Sequence, residues 1–534
     1  MSNKQTISTQ FTRDDSDRAN TLETARLCAR LTQPGILPPL GLAKGERVMT
    51  NYQSIGSRGT SNIEGRMLLS LFPVDQFWFL LAPEHEVELA SNVPNEQKQI
   101  IRNGLYMLQV LASALIESGD VEADYNRRRP QGFRSHKRMT ISQFLITGDA
   151  LEMMDDDYVL RLFRRDKYVT RRDSSGDVLY HITVEDIDPI DKLTDEQFVA
   201  SGLNRSQLEA KDAAERMQPL HTRCQWNPYS RVWVVEQECN GKIINTSEDK
   251  YTRYFSTPYR LFPGENYGRG LVEENLGDLA GIDELEMRML DYAGMASKFT
   301  PVIDPSETIR DEDLAKPSGQ PIRGRVVGGQ TQGIAFLQAN KTADIAVTEQ
   351  FLRRKTTELG KAFLMDSEAM PRGERVTRAQ VNRVAMELDA ALGGAYAPVA
   401  EAQQLPLIQR VMYQMQRDRI APALKPRDVR IRTLTGIAAL SRQMQQVSVM
   451  ALVSQIAALG PEALARVNID VLIDMIARTM LDHEPGLIKT REEMRQEIEQ
   501  QMRDQTRMAA NQQAIQSAGA IAENAAAAAA APSI

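Results

Sequence analysis

The spacing of apolar residues predicts helices in the first 130 residues of the chain. Between residues 105 and 115 the apolar side chains recur about every three to four positions, which is typical of a buried helix face. The residues concerned are Leu105, Leu108, Val110, Leu111, Ala114 and Leu115. We therefore expect residues 1–130 to be mostly helical.

The period shortens between residues 155 and 240, where strands are expected. Tyr158–Arg164 and Val178–Val184 carry β-branched and aromatic residues, and the turn formers of Ser-Ser-Gly-Asp at 174–177 lie between them. Two such runs around a turn predict a β-hairpin. Arg231–Val235 predicts a further strand. Residues 1–266 should thus mix helix and sheet, within an α+β chain that is predominantly helical.

A long amphipathic helix is predicted over residues 267–298. Its apolar positions recur every three or four residues: Val272, Leu276, Leu279, Ile282, Leu285 and Met289. About 32 residues at 1.5 Å each give a length of about 48 Å. The remaining face is acidic and carries Glu273, Glu274, Asp278, Asp283, Glu284, Glu286 and Asp291, against the basic Arg269, Arg288 and Lys298.

The segments after this helix alternate between strand, helix and loop patterns. Residues 299–338 are rich in proline and glycine around short apolar strands, and predict a small β-rich insertion. A second helix is expected over residues 342–363, because Ile345, Val347, Phe351, Leu352, Leu359 and Phe363 follow helical spacing. The loop at 364–375 contains Pro371 and Gly373.

The C-terminal part is predicted to be helical. Thr377 and Gln380 match a capping box at a helix start. Gly393-Gly394, Pro398 and Pro406 should bend or interrupt that helix before it ends near Arg419. Residues 437–507 also carry a helical pattern. The Ala/Gln-rich tail, which ends with seven alanines at 525–531, has little to bury and is expected to fray.

Composition and charge narrow the class of protein. The 534 residues carry 64 Lys and Arg against 71 Asp and Glu, a formal charge of −7. Such a balance argues against a protein that coats nucleic acid, because phosphate affinity grows with the basic charge presented. Cys28, Cys224 and Cys239 are odd in number and widely spaced, as expected in a reducing compartment. The polar N-terminus and the absence of a long apolar run predict a soluble protein made in the cytosol.

Motifs for catalysis are absent from the sequence. Gly241-Lys242 and Gly360-Lys361 lack the Ser or Thr that a phosphate-binding loop needs. His221, Cys224 and Cys239 resemble half of a metal site but have no evident fourth ligand, so a structural role is favoured. We expect no enzyme, no metal and no cofactor.

An alternative function rests on the acidic run Asp155-Asp156-Asp157. Three carboxylates could bind Mg²⁺ for nuclease chemistry, as in a phage DNA-processing enzyme. A solvated loop before a strand is the favoured interpretation. A tail or core structural protein without a DNA channel is a second alternative.

Two basic runs belong to none of these motifs. The first contains Arg127, Arg128, Arg129, Arg134, Lys137 and Arg138, and the second contains Arg161, Arg164, Arg165, Lys167, Arg171 and Arg172. Contact with nucleic-acid phosphates is one interpretation. A solvated face, or salt bridges to a neighbouring subunit, is favoured over it.

Several short blocks resemble the head-to-tail connectors, or portal proteins, of short-tailed double-stranded-DNA phages. They recur in order over roughly residues 45–415, and the Gly373 block is the most specific. The blocks are Ile55-Gly-Ser-Arg-Gly59, Leu68–Pro73, Gly148-Asp-Ala-Leu151, Arg172–Val178, Tyr267-Gly-Arg-Gly270, Glu273-Glu274, Leu276-Gly-Asp-Leu279, Gly373-Glu-Arg-Val-Thr377, Glu387-Leu388, Leu392-Gly-Gly394 and Gln404-Leu-Pro-Leu407. Beyond about residue 420 the likeness is mostly one of length and an Ala/Gln-rich end.

The resemblance implies a portal-type fold with wing, stem, clip and crown. Residues 1–266 would form the wing, and 376–436 would be the wing helix and its return. Residues 267–298 and 339–363 would be the two stem helices, with 299–338 between them as the clip. A tunnel loop at 364–375 would contain Met365, Asp366, Met370, Pro371 and Gly373. Residues 437–510 would form the crown, followed by the tail at 511–534.

The resemblance also implies the protein's place and partners. Family members form rings, usually dodecamers, at one capsid vertex of the virion, and pass double-stranded DNA non-specifically during packaging and ejection. Expected partners are the major capsid and scaffolding proteins, the terminase large subunit, a tail adaptor and internal core or ejection proteins. No stable membrane contact is expected.

A few cations are candidates for centring DNA in the implied channel. An acidic wall would repel phosphates and prevent them from sticking, and a minority of basic side chains would hold the duplex on the axis. The candidates are Lys298, Arg353, Arg354, Lys355, Lys361, Arg372 and Arg375. Salt bridges between subunits would explain several of them equally well.

Overall fold

A computed structural model shows how these segments fold. It describes residues 6–42, 45–73, 77–83, 95–118, 132–296, 300–303, 325–327, 330–332, 334–337, 342–365, 396–422, 429–433, 499–503 and 505–508. The chain divides into two compact units. The larger comprises Met1–Leu80, Val110–Leu424 and Ile431–Met444, and the smaller comprises Leu81–Gln109, Lys425–Arg430 and Gln445–Ile534.

Helices and strands are mixed along the chain, as predicted. The helices are α1 Ile7–Asp17, α2 Ala19–Leu31, α3 Ile55–Leu71, α4 Asn95–Ser118, α5 Phe133–Thr147, α6 Pro189–Lys192, α7 Asp195–Ser201, α8 Arg205–Glu209, α9 Leu271–Glu274, α10 Leu276–Ala296, α11 Thr342–Ala362, α12 Tyr396–Val399 and α13 Leu405–Arg417. The strands are β1 Phe79–Pro83, β2 Asp149–Met154, β3 Leu160–Phe163, β4 Tyr168–Arg172, β5 Val178–Ile187, β6 Gln218–Asn227, β7 Val232–Cys239, β8 Lys242–Asp249, β9 Tyr254–Pro258, β10 Thr300–Ile303, β11 Arg325–Val327, β12 Gln330–Gln332, β13 Ile334–Leu337 and β14 Val429–Thr433.

Two antiparallel sheets form the centre of the larger unit. The first has five strands in the order β4-β5-β6-β7-β8, and the second has three in the order β3-β2-β9. Leu151, Phe163, Tyr168, Cys224 and Tyr254 come from both sheets and form one buried cluster. The strand predicted at Arg231–Val235 is confirmed as part of β7.

The predicted hairpin is confirmed at its turn and wrong in its first strand. The turn at 173–177 joins β4 to β5, whereas Leu160–Phe163 pairs with β2 in the other sheet. A short 3₁₀ turn at Arg165–Lys167 separates the two strands. The strand that leads into the turn therefore begins at Tyr168 rather than at Tyr158.

The helix predicted around residue 110 is present, but its buried face differs from the prediction. In α4 the buried positions are Leu105, Gln109, Ala112 and Ile116, at helical intervals of four and three. Val110 and Leu111 are exposed. Gln109 belongs to the buried face because its side-chain oxygen accepts a hydrogen bond from the Leu81 N–H at 3.1 Å.

The long helix begins later than its apolar spacing predicts. Residues 267–270 are not helical, α9 starts at Leu271, and Asn275 interrupts the helix before α10. Asn275 donates from its side chain to the Leu271 carbonyl at 3.0 Å and so satisfies that helix end. The second helix, α11, agrees with the prediction to within one residue at its end.

The insertion between these helices contains β-strands, as predicted. Strands β10 and β13 pair antiparallel, and so do β11 and β12. The assignment of this insertion as a clip stays a prediction.

Proline produces a local change of helix type rather than a break near residue 400. Between α12 and α13 the segment Ala400–Gln404 is a π-helix. Pro406 has no backbone N–H to donate, which removes one α-helical hydrogen bond at this point. The capping box at Thr377 and the Gly393-Gly394 pair lie outside the described residues. In the stretch 437–507, the described parts at 499–503 and 505–507 are helical.

Among the described helices, none combines the length and the apolar character that a membrane span requires.

Candidate functional site

Helix α3 anchors both long helices of the larger unit. Its first two glycines make the close approaches: a Cβ on Gly56 would lie 3.1 Å from the Leu279 side chain in α10, and a Cβ on Gly59 would lie 2.5 Å from the ring of Phe363, directly after α11. Leu279 and Phe363 are fully buried. The start of α10 and the end of α11 therefore pack against the Ile55–Gly59 block.

Polar side chains of α3 complete the anchor at the end of α11. Asn62 donates to the carbonyls of Phe363 at 2.9 Å and Leu364 at 3.0 Å, and Arg66 donates to the Leu364 carbonyl at 3.0 Å. Leu364 has a φ of 53°, in the left-handed region where helices commonly end. These bonds satisfy carbonyls that a helix C-terminus leaves without an intrahelical donor.

The start of α10 is held in the same region. The Asp283 carboxylate accepts hydrogen bonds from the backbone N–H groups of Tyr52 at 2.9 Å and Gln53 at 3.1 Å. Lys355 of α11 lies 3.1 Å from the Asp278 carboxylate of α10. Because the beginning of α10 and the end of α11 share one anchor, the two helices run antiparallel away from α3.

The predicted acidic face is present on α9 and α10, and several of its carboxylates are paired. Glu273 lies 3.4 Å from Arg269, and burial raises its pKa. Glu274 pairs with Arg260. Burial and the neighbouring Asp283 also raise the pKa of Glu286. Glu284 pairs with Arg288, and Asp291 is exposed.

The net charges of α10 and α11 differ in sign. Helix α10 contains five acidic residues and one basic residue, whereas α11 contains three acidic and four basic residues. The antiparallel pair therefore presents an acidic helix beside a weakly basic one.

Most described members of the predicted cation set are in ion pairs within the chain. Arg353 lies 2.6 Å from Glu349, Arg354 lies 3.9 Å from Glu358, and Lys355 contacts both Asp278 and Glu358. Lys361 is exposed and has no acidic partner among the residues that the structure describes. Of the predicted site, Met365 ends the described segment, and its N–H donates to the Gly360 carbonyl at 2.8 Å. Lys298, Asp366, Met370, Pro371, Arg372, Gly373 and Arg375 lie outside the described residues.

Most side chains of the two basic runs contact other residues of the same chain. Arg138 pairs with Glu64, Arg164 with Asp166, Lys167 with Asp186, Arg161 with Asp155 and Arg171 with Asp17. Arg134 donates to the Phe72 carbonyl, Arg165 is buried against the Tyr267 ring, and Arg172 donates to Ser256. The side chains of Arg138, Arg161, Arg164, Lys167 and Arg171 are nevertheless 38–58% exposed, as a solvated face would have them, whereas Lys137 and Arg165 are buried. Residues 127–129 lie outside the described part.

A fully buried ion pair joins α5, β2 and the π-helical segment. Lys137 Nζ lies 2.6 Å from Glu152, and neither side chain is exposed. Thr140 and Gln403 also donate to the Glu152 carboxylate, and His136 Nε2 lies 2.9 Å from it. Burial alone would raise the pKa of Glu152, but the Lys137 charge and the His136 contact outweigh burial and hold this pKa well below 4.5.

Two of the sequence blocks meet at Gly148. Its φ is 80°, and a Cβ would lie 2.2 Å from the Gly268 carbonyl and 2.7 Å from the Gly270 N–H. Next to it, the buried Asp149 accepts from the Tyr168 hydroxyl at 2.8 Å. Burial raises the pKa of Asp149, against the opposing charges of Arg165 and Arg172. Since the glycines allow backbone to touch backbone, the blocks position the start of α9 against α5.

A third cluster joins α13 to the strands. Arg410 is fully buried, 3.1 Å from Asp249, which also lies 2.6 Å from Arg253. Arg417 lies 2.8 Å from Asp156. Sequence reasoning missed this cluster and the Lys137–Glu152 pair because, except for Asp249 and Arg253, the paired residues lie more than ten positions apart and only the fold brings them together. A charged residue on an apolar helix face, as at Arg410, was the available signal.

The features considered for catalysis are hydrogen-bonded, ion-paired or buried. The Asp155 carboxylate accepts from the N–H groups of Asp157 and Val159, and Asp156 is engaged by Arg417. Burial raises the pKa of the Cys28 and Cys224 thiols to about 12. Across the described ranges, no group of three or more His, Cys, Asp or Glu residues is arranged to hold a metal ion.

Comparison with known proteins finds relatives that are all portal proteins of phages. The chain is 28% identical to the portal protein of Escherichia phage T7 over 496 residues, covering 91% of this chain and 88% of that protein. It is 26% identical to the portal protein of Enterobacteria phage T3, covering 90% and 88%, and 24% identical to that of Pseudomonas phage phiKMV, covering 88% and 89%.

Among solved structures, the chain is similar to the neck of two GTA particles. The neck of the empty particle is 10% identical, with 79% of this chain and 90% of that chain covered at a TM-score of 0.35. The neck of the native particle is 11% identical, with 68% and 93% covered at a TM-score of 0.30.

A family profile decides the assignment. The profile described as "Bacteriophage head to tail connecting protein" matches residues 4–480, which is most of the chain. This match confirms the resemblance found in the short sequence blocks. The chain therefore belongs to the family of bacteriophage head-to-tail connecting proteins, as a portal protein of the short-tailed phage type.

Proposed function

We propose that this portal protein forms a ring at one capsid vertex and encloses the channel through which double-stranded DNA enters and leaves the head. The observation that carries the proposal is the antiparallel pair α10 and α11, anchored at one end on α3 and opposite in charge character. Head-to-tail contacts between identical copies close into a ring when the rotation between copies closes.

The charge of α10 suits a passive channel wall. Duplex DNA carries one negative charge per about 1.7 Å, so a helix of about 32 Å runs past about 19 phosphates. Helix α10 carries five carboxylates against one arginine, and those carboxylates that face the channel would repel such a polyanion and keep it mobile. Screening over about 8 Å limits the repulsion to side chains near the duplex.

The parts of the chain have corresponding proposed roles. Residues 1–266 and 376–436 form the wing, 267–298 and 339–363 the stem, 299–338 the clip and 437–510 the crown, with 511–534 as a tail. The clip faces the packaging motor and later the tail, and the crown lies inside the capsid. The ring has a structural role, and a separate motor hydrolyses ATP.

Size and shape of the purified chain test the ring. We expect particles of several hundred kilodaltons with an axial hole, measured by light scattering and projection electron microscopy. A species that stays near 59.9 kDa at micromolar concentration contradicts the proposal. Solid particles without a hole favour a tail or core protein, and metal-dependent DNA cleavage by the pure chain favours a nuclease.

A further test concerns the tunnel loop at 364–375. Replacing Arg372 and Arg375 with Glu should leave rings intact and reduce the DNA retained in filled heads, because two side chains per copy that attract phosphates would instead repel them. The measurement is the yield of DNA-filled heads, with ring formation as the control. Normal retention removes both arginines from the proposed DNA contact.

A further inference from the structure

The five-stranded sheet ends on one side at an exposed strand, β8. In the order β4-β5-β6-β7-β8, only β7 is hydrogen-bonded to β8 among the strands that the structure describes. Alternate residues of such an edge strand point their backbone N–H and C=O groups away from the sheet. Lys242, Ile243, Asn245, Thr246 and Glu248 are exposed, so solvent reaches this edge along most of its length.

The opposite edge of the same sheet is covered by side chains. The backbone N–H of Thr170 in β4 donates to the Tyr267 hydroxyl at 3.0 Å. The backbone N–H of Arg172 donates to the side-chain oxygen of Asn266 at 2.9 Å. These bonds satisfy donors of β4 that a further strand would otherwise satisfy. Within the described ranges, no side chain accepts from a backbone N–H of β8 in this way.

Strand β8 has few of the features that prevent an edge from pairing. Edge strands are commonly short, or carry a proline or a charge at their centre. Strand β8 has eight residues, and its centre at 243–247 contains neither. Its shift of register, opposite Gln237 and Glu238, lies towards the turn and leaves Asn245–Asp249 paired residue by residue with β7. The outer side of Asn245–Asp249 is therefore suited to pair with a further strand.

The helices beside β8 indicate the charge of a fitting partner. Helix α7 packs against β8 near its turn, where the Asn240 side chain donates to the Ser201 carbonyl at 3.2 Å. Residues 188–216, which contain α6, α7 and α8, carry seven acidic and four basic residues. Six of the acidic residues are exposed: Asp191, Asp195, Glu196, Glu209, Asp212 and Glu215. Together with the exposed Glu248 on β8 itself, they favour a strand with basic side chains.

A second copy of this chain does not fit the edge of β8 in a ring. Pairing of β8 with β8 requires a two-fold axis between the copies, whereas copies around a single ring axis meet through two different surfaces. The other edge of the sheet, β4, is already covered by Asn266 and Tyr267. This exclusion rests on the proposed ring, but the openness of the edge does not.

We propose that β8 is a docking edge for a different protein, which adds an extended strand with lysine or arginine side chains to the sheet. In such strand addition the main-chain hydrogen bonds give affinity and the side chains give specificity. The outer backbone groups of Asn245–Asp249 pair with the added strand. Glu248 and the exposed acidic residues of 188–216 attract its basic side chains.

Three fluorescent peptides test the docking edge on the purified full-length chain. The first is a strand-forming peptide in which lysine alternates with valine and threonine. The second has glutamate in place of lysine. The third keeps the lysine sequence but is N-methylated at two pairs of neighbouring amides, so that both of its edges lose donors. We expect the lysine peptide to bind, and the other two to bind at least about tenfold more weakly, as measured by fluorescence anisotropy.

Hydrogen exchange and matched variants locate the site. The lysine peptide should slow amide exchange in residues 242–249, measured by mass spectrometry, because their outer N–H groups become hydrogen-bonded. Thr246→Lys places a charge at the centre of the edge and should weaken binding by at least about tenfold. Ser175→Lys is the control, since it makes the same change of charge in the exposed turn between β4 and β5, at the other edge of the sheet.

Each outcome supports the docking edge or overturns it. Equal binding of the N-methylated peptide overturns strand addition, and equal binding of the glutamate peptide overturns a basic occupant. No binding of the lysine peptide at millimolar concentration, or unchanged binding by Thr246→Lys, removes β8 as the site. Protection of residues 242–249 that rises with protein concentration, without peptide, would identify a second copy as the occupant instead. A chain that forms no ring yet binds the lysine peptide at β8 refutes the proposed function alone.

Discussion

Gly148 occupies a position that other residues cannot fill without moving the backbone. Its φ of 80° is strained for a residue with a side chain, and the Gly268 carbonyl occupies the space of a Cβ. The sequence shows Gly148, Gly268 and Gly270 as short motif residues more than a hundred positions apart. Their shared purpose, a contact of backbone with backbone, could not be predicted because it depends on two segments meeting.

Substitution at Gly148 should separate backbone strain from steric overlap. Gly148→Ala is expected to lower the free energy of unfolding by about 2–4 kcal/mol, because it adds both effects. Gly241→Ala is the control: its φ is 71°, but nothing lies within 4 Å, so only about 1–2 kcal/mol of strain is expected. Urea unfolding followed by tryptophan fluorescence measures both. Equal reductions would show that the overlap with Gly268 contributes nothing.

The buried pair of Lys137 and Glu152 gives stability a pH dependence. The Lys137 charge holds the pKa of Glu152 below its ordinary value of 4.5, so the ionised form stabilises the fold at any pH above that value. This contribution disappears as the pH falls below 4.5 towards the lowered pKa. Burial acts in the opposite direction and also lowers the pKa of Lys137.

Replacing the carboxylate tests this dependence. Glu152→Gln leaves Lys137 buried without an anion, and should cost about 3–5 kcal/mol at about pH 7. The difference from wild type should shrink between about pH 4.5 and 3, because Glu152 takes up a proton in the unfolded wild-type chain while the folded carboxylate stays ionised. Glu236→Gln, which breaks the part-exposed pair with Arg223, should cost about 1 kcal/mol or less. If the difference in unfolding free energy between wild type and Glu152→Gln stays constant throughout this acid range, the lowered pKa of Glu152 is contradicted.

Elements with strong periodicity were the most predictable part of the fold. Helix α11 was predicted almost to the residue because its apolar positions are regular and no glycine or proline interrupts its centre. The start of the preceding helix was wrong, since Gly268 and Gly270 serve a tertiary contact that periodicity does not report. In α4 the predicted buried face was wrong, because the buried position 109 is a polar glutamine and does not follow the apolar pattern.

The anchor on α3 allows a test within one helix. Gly59→Ala places a Cβ 2.5 Å from the Phe363 ring and should lower the free energy of unfolding by about 1–3 kcal/mol. Gly65→Ala, in the same helix with nothing within 4 Å, should be neutral or stabilise by up to about 1 kcal/mol. Chemical denaturation distinguishes them by the sign of the change. A stabilising Gly59→Ala would show that the end of α11 does not rest on α3.

At the scale of the whole molecule, the sequence blocks identified the family but not how the blocks meet. Ile55–Gly59, Leu276–Leu279 and the end of α11 are separated by some 300 residues of chain, yet α3 holds them in one place. The predicted cations show the same limit. Charge alone marked Arg353, Arg354 and Lys361 as equivalent, whereas the fold gives the first two acidic partners.

This difference predicts which cation of α11 contacts DNA in the assembled ring. Lys361, exposed and with no acidic partner in the described part of the chain, is free to meet phosphates, whereas Arg353 is 78% exposed but already lies 2.6 Å from Glu349. Lys361→Glu should weaken binding of a short duplex to purified rings and make its salt dependence less steep, by about one unit for each phosphate that the ring no longer neutralises. Arg353→Glu should change the slope less.

The measurement is the slope of log affinity against log salt concentration, taken on rings whose integrity is checked by mass photometry. Intact Lys361→Glu rings with the wild-type slope would place this lysine away from the duplex. A larger change for Arg353→Glu would mean that its pairing with Glu349 opens in the ring. The first result would remove Lys361 from the proposed DNA contact, and the second would favour Arg353 in its place.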